Sequence, residues 1–181
     1  GMGGMTTAAL LAKLGRRVLV LEQHYVAGGF THTFRRKKWS WDVGVHAIGE
    51  VDPRAMVGKV LHALTDGGLQ WASLGPVYDK FQFPDLHIDF PDTKQQFAEN
   101  LKEAFPGDAA AIDAYLGKVK EVGAAMGRYW LSRVVPPSLA PLTDRLIAAD
   151  AHRQLTVRTQ DVLDGITRNE KLQAVLTSQW G

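Results

Sequence analysis

The sequence predicts an α/β fold, and three observations carry that expectation. Glycines at positions 1, 3 and 4 stand directly before an apolar stretch with helical periodicity. That stretch stops at Gly15 and feeds at once into RRVLVLE, a β-branched and leucine run of strand length ending in the acid Glu22. Past residue 67 the pattern changes to short alternating segments and then to long helical ones. A helix–strand unit with a buried parallel strand therefore opens the chain over residues 1–66, and an α+β region occupies residues 67–181.

The elements follow in order. Residues 5–14 carry Ala and Leu at helical spacing, with Gly15 as the C-terminal stop. Residues 16–22 read as a strand. From Thr31 to Val43, THTFRRKKWSWDV alternates on both sides of a four-residue basic turn, which predicts a hairpin flanked by Phe34, Trp39 and Trp41. Asp52 as cap and Pro53 at the first helical position predict a helix ending near Gly67. LQWASL, YDKFQF and LHIDF read as antiparallel strands. Helices are predicted over 93–105, over 109–131 up to the prolines at 136 and 137, over 160–166, and from Asn169 to Trp180.

Composition narrows the functional classes. The chain has 181 residues, 45% of them apolar and none of them cysteine, with a formal net charge of +2. Disulfides, thiolate metal sites and cysteine nucleophiles are thereby excluded from it, and His24 and His32 have no metal-site spacing, so no metal is expected. The small, dispersed charge disfavours nucleic acid as a partner. No window reaches the ~18 apolar residues of a membrane span, and the start lacks a signal-peptide layout. The expected location is cytoplasmic or peripheral to a membrane.

The opening glycines fit a dinucleotide fingerprint, G-x-G-x-x-G, whose glycines allow a tight turn, close backbone approach to a pyrophosphate and close helix packing. With Gly1 as its second glycine and Gly4 as its third, seventeen residues separate Gly4 from Glu22. An acid there, at the end of the next strand, can accept hydrogen bonds from both hydroxyls of an adenosine ribose. A carboxylate at that position repels a 2′-phosphate, so FAD or NAD fits better than NADP. The first strand and first glycine are expected upstream of residue 1. The chain is thus read as a piece of a longer polypeptide, with the remainder of that polypeptide as a partner. Alone it is expected to fold poorly, because Val18 to Glu22 is a parallel strand without a neighbour.

Gly28 and Gly29 follow Glu22 in an E-x5-GG pattern that resembles the two-dinucleotide-binding flavoproteins, which favours FAD. The blocks LEQHYVAGGFTHTF and WSWDVGVHAIGE, with LQAVLTSQWG near the end, resemble the branch of FAD-dependent oxidoreductases that contains retinol saturases, carotenoid isomerases and phytoene desaturases. The resemblance implies a partial Rossmann-like FAD-binding domain lacking its first strand, joined to a substrate or cap region. It implies that Gly1, Met2, Gly3 and Gly4 lie against the pyrophosphate, that Glu22 binds the ribose, and that Gln23 sits beside the adenine edge. Gly28 and Gly29 would let the loop pass close to the cofactor. Asp42 to His46, including Gly44 and Val45, would run past the ribityl chain toward the flavin. Phe30 stands where many relatives have arginine, so no role is carried over for that arginine.

The implied activity is desaturation, saturation or isomerisation of an apolar polyene, with FAD as cofactor and NAD(P)H as a candidate electron donor. The fragment by itself is expected to be inactive. His46 is the one candidate catalytic group, as an imidazole near the flavin, against the competing reading of a histidine that fixes backbone geometry. Two other readings of the whole stay open: an amine-oxidase-like flavoenzyme on a small substrate, and a non-catalytic binding or membrane-interaction piece. RRKK at 35–38 is a candidate for peripheral membrane contact, against a solvated turn. The apolar, aromatic segment 126–142 is expected to line a substrate tunnel, dip into one leaflet or pack as core.

Overall fold

A computed structural model of the chain describes residues 1–136 and 138–179. It divides into two compact units, Gly1–Ser73 and Leu74–Gly181.

In the first unit, α1 spans Met2–Lys13 and starts three residues earlier than periodicity predicts, so the glycines form its first turn. Gly15, with φ 74°, closes it: its N–H donates to the Ala12 carbonyl (2.9 Å) and that of Arg16 to the Leu11 carbonyl (3.0 Å). Residues 16–22 then lie along α1 but belong to no sheet; the two sheets among the described residues are separate two-stranded ladders. The predicted strand is corrected in this respect. Its leucines and valines ask for a neighbour on each side, and a parallel strand gains its hydrogen bonds only from such neighbours. Leu21 accordingly stands 86% exposed.

The predicted hairpin forms as β1 (Thr33–Arg36) and β2 (Trp39–Asp42), pairing antiparallel with Phe34 opposite Trp41 and Arg36 opposite Trp39. A single 3₁₀ turn, Gly29–Thr31, precedes it. The next helix, α2 (Met56–Thr65), begins three residues beyond Pro53. The expected Asp52 cap is replaced by a local turn, in which the Asp52 carboxylate accepts from the Arg54 N–H (2.8 Å) and guanidinium (2.9 Å). Gly58 is buried here because the chain folds back over it; a Cβ at that position would lie 2.0 Å from the Asp52 carbonyl oxygen. Lys13 reaches Asp66, at the end of α2, at 2.6 Å and holds that carboxyl below its usual range.

The second unit opens with β3 (Val77–Phe83) and β4 (Leu86–Pro91), an antiparallel hairpin with an irregularity between Val77 and Asp79. LQWASL forms no strand, a further correction: Leu69 and Trp71 are exposed and the segment joins neither sheet. Then come α3 (Lys94–Ala104), capped by the Thr93 hydroxyl accepting from Gln96 N–H, and the long α4 (Ala109–Arg133). Residues 140–156, for which periodicity predicts no element, are helical as α5 (Ala140–Thr143), a π-helical turn at Asp144–Ala148, and α6 (Ala149–Thr156). Two more helices follow, α7 (Thr159–Ile166) and α8 (Glu170–Leu176). Asn169 caps α8 as predicted, accepting from the Leu172 N–H at 3.3 Å, and its amide also donates to Asp108 at 2.7 Å. The predicted continuation to Trp180, like Pro137, lies outside the described residues.

The hydrophobic core sits wholly in this unit. Ile88 and Phe90 of β4, Leu101 of α3, Ile112 of α4, Leu163 of α7 and Leu172, Val175 and Leu176 of α8 form one buried cluster. Phe90 packs between Phe81 and Phe97 at 4.8 and 5.0 Å between ring centroids, tilted as aromatic quadrupoles prefer.

Candidate dinucleotide site and apolar cavity

The candidate cofactor residues of the first unit gather at the amino end of α1. The first intrahelical bond runs from Met5 N–H to the Gly1 carbonyl (3.2 Å), so the amides ahead of it have no acceptor within the helix. Around Gly3 and Gly4 no atom lies within 4 Å of where a Cβ would stand. The faces of Gly3 and Gly4 are therefore open, and the aligned peptide dipoles of the helix favour an anion there.

Glu22 reaches the same place. Its carboxylate lies 3.3 Å from the Gly1 nitrogen and accepts from the His24 N–H at 3.0 Å. The hydrogen bond from the His24 amide is the first cause that holds the Glu22 carboxyl below its usual range. The acid is thus ionised at neutral pH and available as a hydrogen-bond acceptor.

The glycine doublet closes the third side. Gly29 has φ 60°, and a Cβ on it would stand 3.0 Å from Gly1 Cα, so both the backbone conformation and the close approach require glycine. Gly44 joins through Phe30, its N–H donating to the Phe30 carbonyl at 3.1 Å, while Val43 N–H donates to the His32 carbonyl at 3.2 Å. The hairpin ladder thereby continues past its last strand pair and draws the start of Gly44–Val45–His46 beside the doublet. The structure so brings together Gly1, Glu22, Gly29 and Gly44. Met2 and Gln23 are exposed on its flanks, and Val45 and His46 are exposed as well. Among the described residues no hydrogen bond or ring contact ties the His46 imidazole to this cluster.

Two residues that hold the doublet in shape had no assigned part in the sequence reading. Thr31 donates from its hydroxyl to the Gly28 carbonyl (2.7 Å), and His32 Nδ1 lies 2.6 Å from the Gly29 carbonyl. The signal was present: a hydroxyl three residues after a backbone carbonyl is a standard local bond. The His24 ring packs against those of His32 (4.6 Å) and Tyr25 (4.3 Å), which joins the residues after Glu22 to the end of the doublet.

A separate feature lies within the second unit. A half-open cavity of about 470 Å³ is walled by Phe90, Phe97, Val119, Val122, Val162 and Leu176. Tyr115, Lys118, Gln154 and Gln179 add polar groups to its lining. Its size and apolar walls with few polar groups are those of small-molecule pockets. The segment 126–142, expected to line a tunnel, contributes nothing to this cavity, and its Trp130, Val134 and Leu142 are exposed. No helix among the described residues is long and apolar enough to cross a membrane.

Comparison with known proteins gives the family. Residues 1–64 match the NAD(P)-binding Rossmann-like domain family. Over all of this chain, the sequence is 35% identical to the all-trans-retinol 13,14-reductase of Danio rerio, covering 31% of that protein. It is 35% identical to the Homo sapiens all-trans-retinol 13,14-reductase over 98% of the chain and 30% of that protein. A prolycopene isomerase of an Oncidium hybrid cultivar is 29% identical over 62% of the chain and 19% of its own length. No solved structure matches. The chain spans about a third of the length of the reductases it matches. The Rossmann-like match, the glycine-headed helix with its acid, and similarity to the reductases along the whole of this chain agree: the chain belongs to the branch that contains the all-trans-retinol 13,14-reductases and the prolycopene isomerases.

Proposed function

We propose that this chain provides the FAD-binding part of a flavin-dependent oxidoreductase or isomerase whose substrate is an apolar polyene, a retinoid or a carotenoid. One observation carries the reading. Glu22 and Gly29, both distant from Gly1 in sequence, meet it at the amino end of α1. These residues fit the group: bare backbone amides for the diphosphate, an ionised acceptor for the ribose hydroxyls, and a loop whose lack of side chains allows close approach. Gly1, Met2, Gly3 and Gly4 would hold the diphosphate, Glu22 the ribose, and Gln23 the adenine edge. Gly28, Gly29, Gly44 and Val45 would line the path toward the isoalloxazine, with His46 beyond them as a hydrogen-bond donor.

Bound there, FAD supplies hydride or electron exchange with a conjugated carbon chain. The protein's own share is to fix the dinucleotide and keep the Glu22 acceptor charged. Net saturation consumes two electrons, for which a reduced nicotinamide is the proposed external donor; isomerisation has no net demand. The names of the reductases and isomerases support a retinoid or carotenoid substrate, and the apolar cavity of the second unit supports an apolar ligand. Such substrates partition into membranes, which makes peripheral membrane contact part of this proposal.

Flavin titration of the full chain tests the cofactor assignment. Charge-assisted hydrogen bonds are worth about 1.5–3 kcal/mol each, so Glu22→Gln should weaken FAD binding by roughly ten- to a hundredfold. Gly29→Val, which places a side chain against Gly1, should abolish it. Retention of undiminished flavin binding by both variants overturns the reading.

A further inference from the structure

The cavity of the second unit is shaped by a helix face that its neighbours leave uncovered. Tyr115, Val119 and Val122 recur at the spacing of one face of α4, and Val157, just after α6, and Val162 of α7 line the same space. Phe90, Leu163 and Leu176 are buried at its floor, whereas Val119 and Val157 stand half exposed at its mouth. Water is a poor occupant of such a space, since each molecule needs roughly two to four polar partners and the walls are mostly apolar. A volume of about 470 Å³ suits one apolar chain.

The polar groups of the lining decide what the end of that chain can be. Tyr115 donates its one hydroxyl proton to the Leu176 carbonyl, at 3.2 Å, and its oxygen keeps its lone pairs. Burial among these side chains pushes the phenol's pKa up, so it stays a neutral hydroxyl. Lys118 is the one charged residue of the lining, and Glu121 already neutralises it at 3.0 Å. Gln154 reinforces that pair by donating to the same Glu121 oxygen at 2.6 Å. A carboxylate entering here therefore meets no free cation and, at Tyr115, an oxygen that repels it; an O–H meets an acceptor. We infer that the cavity is a binding site for a linear apolar alcohol, the chain lying along Val119, Val122 and Val162 and the hydroxyl donating to the Tyr115 oxygen. Tyr115 thereby selects the polar end of the ligand, while the valines select only an apolar shape. The site builds on the apolar ligand of the proposed function but uses no residue of the first unit, so flavin binding and alcohol binding can fail separately.

Calorimetric titration of the full chain with decanol, decyl methyl ether and decanoate, without flavin, presents three polar ends on one saturated chain. Decanol should bind most tightly, and the ether about three- to tenfold more weakly because it has no proton to donate. Decanoate should bind more weakly still, its charge being taken from water without a partner. Tyr115→Phe should bring decanol down to the level of the ether and leave the ether unchanged, which a purely structural role of the hydroxyl would not do. Val122→Trp, which fills the cavity from a partly exposed helix position, should abolish binding of all three with unchanged far-UV circular dichroism. Equal affinity for alcohol and ether, a decanol preference that survives Tyr115→Phe, undiminished binding by Val122→Trp, or no binding of decanol would each overturn the proposal.

Discussion

The two units of this chain solve different problems. In the unit of Leu74 onward, hydrophobic side chains from β4, α3, α4, α7 and α8 converge until Leu101, Ile112 and Leu172 are wholly removed from water. In Gly1–Ser73 only glycines, Gly28 and Gly58, are buried, while Leu19, Leu21 and Val20 face solvent. Yet the unit without an apolar core holds the candidate cofactor residues in register through close approaches and hydrogen bonds: Gly29 against Gly1, Gly44 on Phe30, and the Glu22 carboxylate on His24. Precise placement of polar groups and burial of apolar ones are separable achievements. Turns and local hydrogen bonds can secure the first, whereas the second needs layers that cover one another.

The largest expected effect sets the units against each other. Leu101→Ala should destabilise the second unit by about 2–5 kcal/mol, since it leaves a cavity in a closed cluster, whereas Leu21→Ala should change stability by less than about 0.5 kcal/mol. Urea denaturation of each variant measures both, and comparable losses would dissolve the distinction. A smaller effect sharpens it: Gly58→Ala should cost about 1–3 kcal/mol by forcing its methyl into the Asp52 carbonyl, and the damage should appear as faster amide exchange in α2 with the second unit untouched. Smallest is a titration. Arg54 holds the Asp52 carboxyl at about 2, from an ordinary 3.8. A group depressed in the folded state stabilises it fully above its unfolded value and loses that contribution as pH falls through the folded one. The Asp52–Arg54 turn should therefore persist down to about pH 4 and loosen toward pH 2, and Arg54→Gln should move the NMR midpoint of Asp52 upward.

Legibility in the sequence follows the range of the interaction. Thr93 and Asn169 cap their helices through side-chain bonds that span three residues, and both ends were predicted. Gly15 ends α1 for the same local reason. The hairpin was readable because Phe34 and Trp41 alternate across a short turn. Asp52 misled, since an Asp two residues before an arginine has a nearer partner than the helix amides. LQWASL misled by imitating an edge strand with no partner to pair with. Residues 140–156 escaped because Pro141 and a π-helical turn interrupt the periodicity on which detection depends.

The same division applies to the candidate site. The order of glycines, helix, strand-like run and acid is written in the chain and was sufficient to select Gly1, Gly4, Glu22, Gly28 and Gly29. Thr31 carried a local signal for its bond to the doublet, whereas the place of His32 was decided by the fold of the turn.

By itself, then, the amino-acid order determined the stop of α1 at Gly15, the capped starts of α3 and α8, the closing of the hairpins, and which residues are candidates to meet a dinucleotide, because each of those outcomes is decided by neighbours within a turn or two. Only the tertiary structure decided that Glu22 and Gly29 converge on Gly1, that Val18 to Leu21 face solvent outside any sheet, and that the core collects around Leu101 and Ile112. Each of these depends on which segments distant in sequence meet or fail to meet, and no local pattern carries that information.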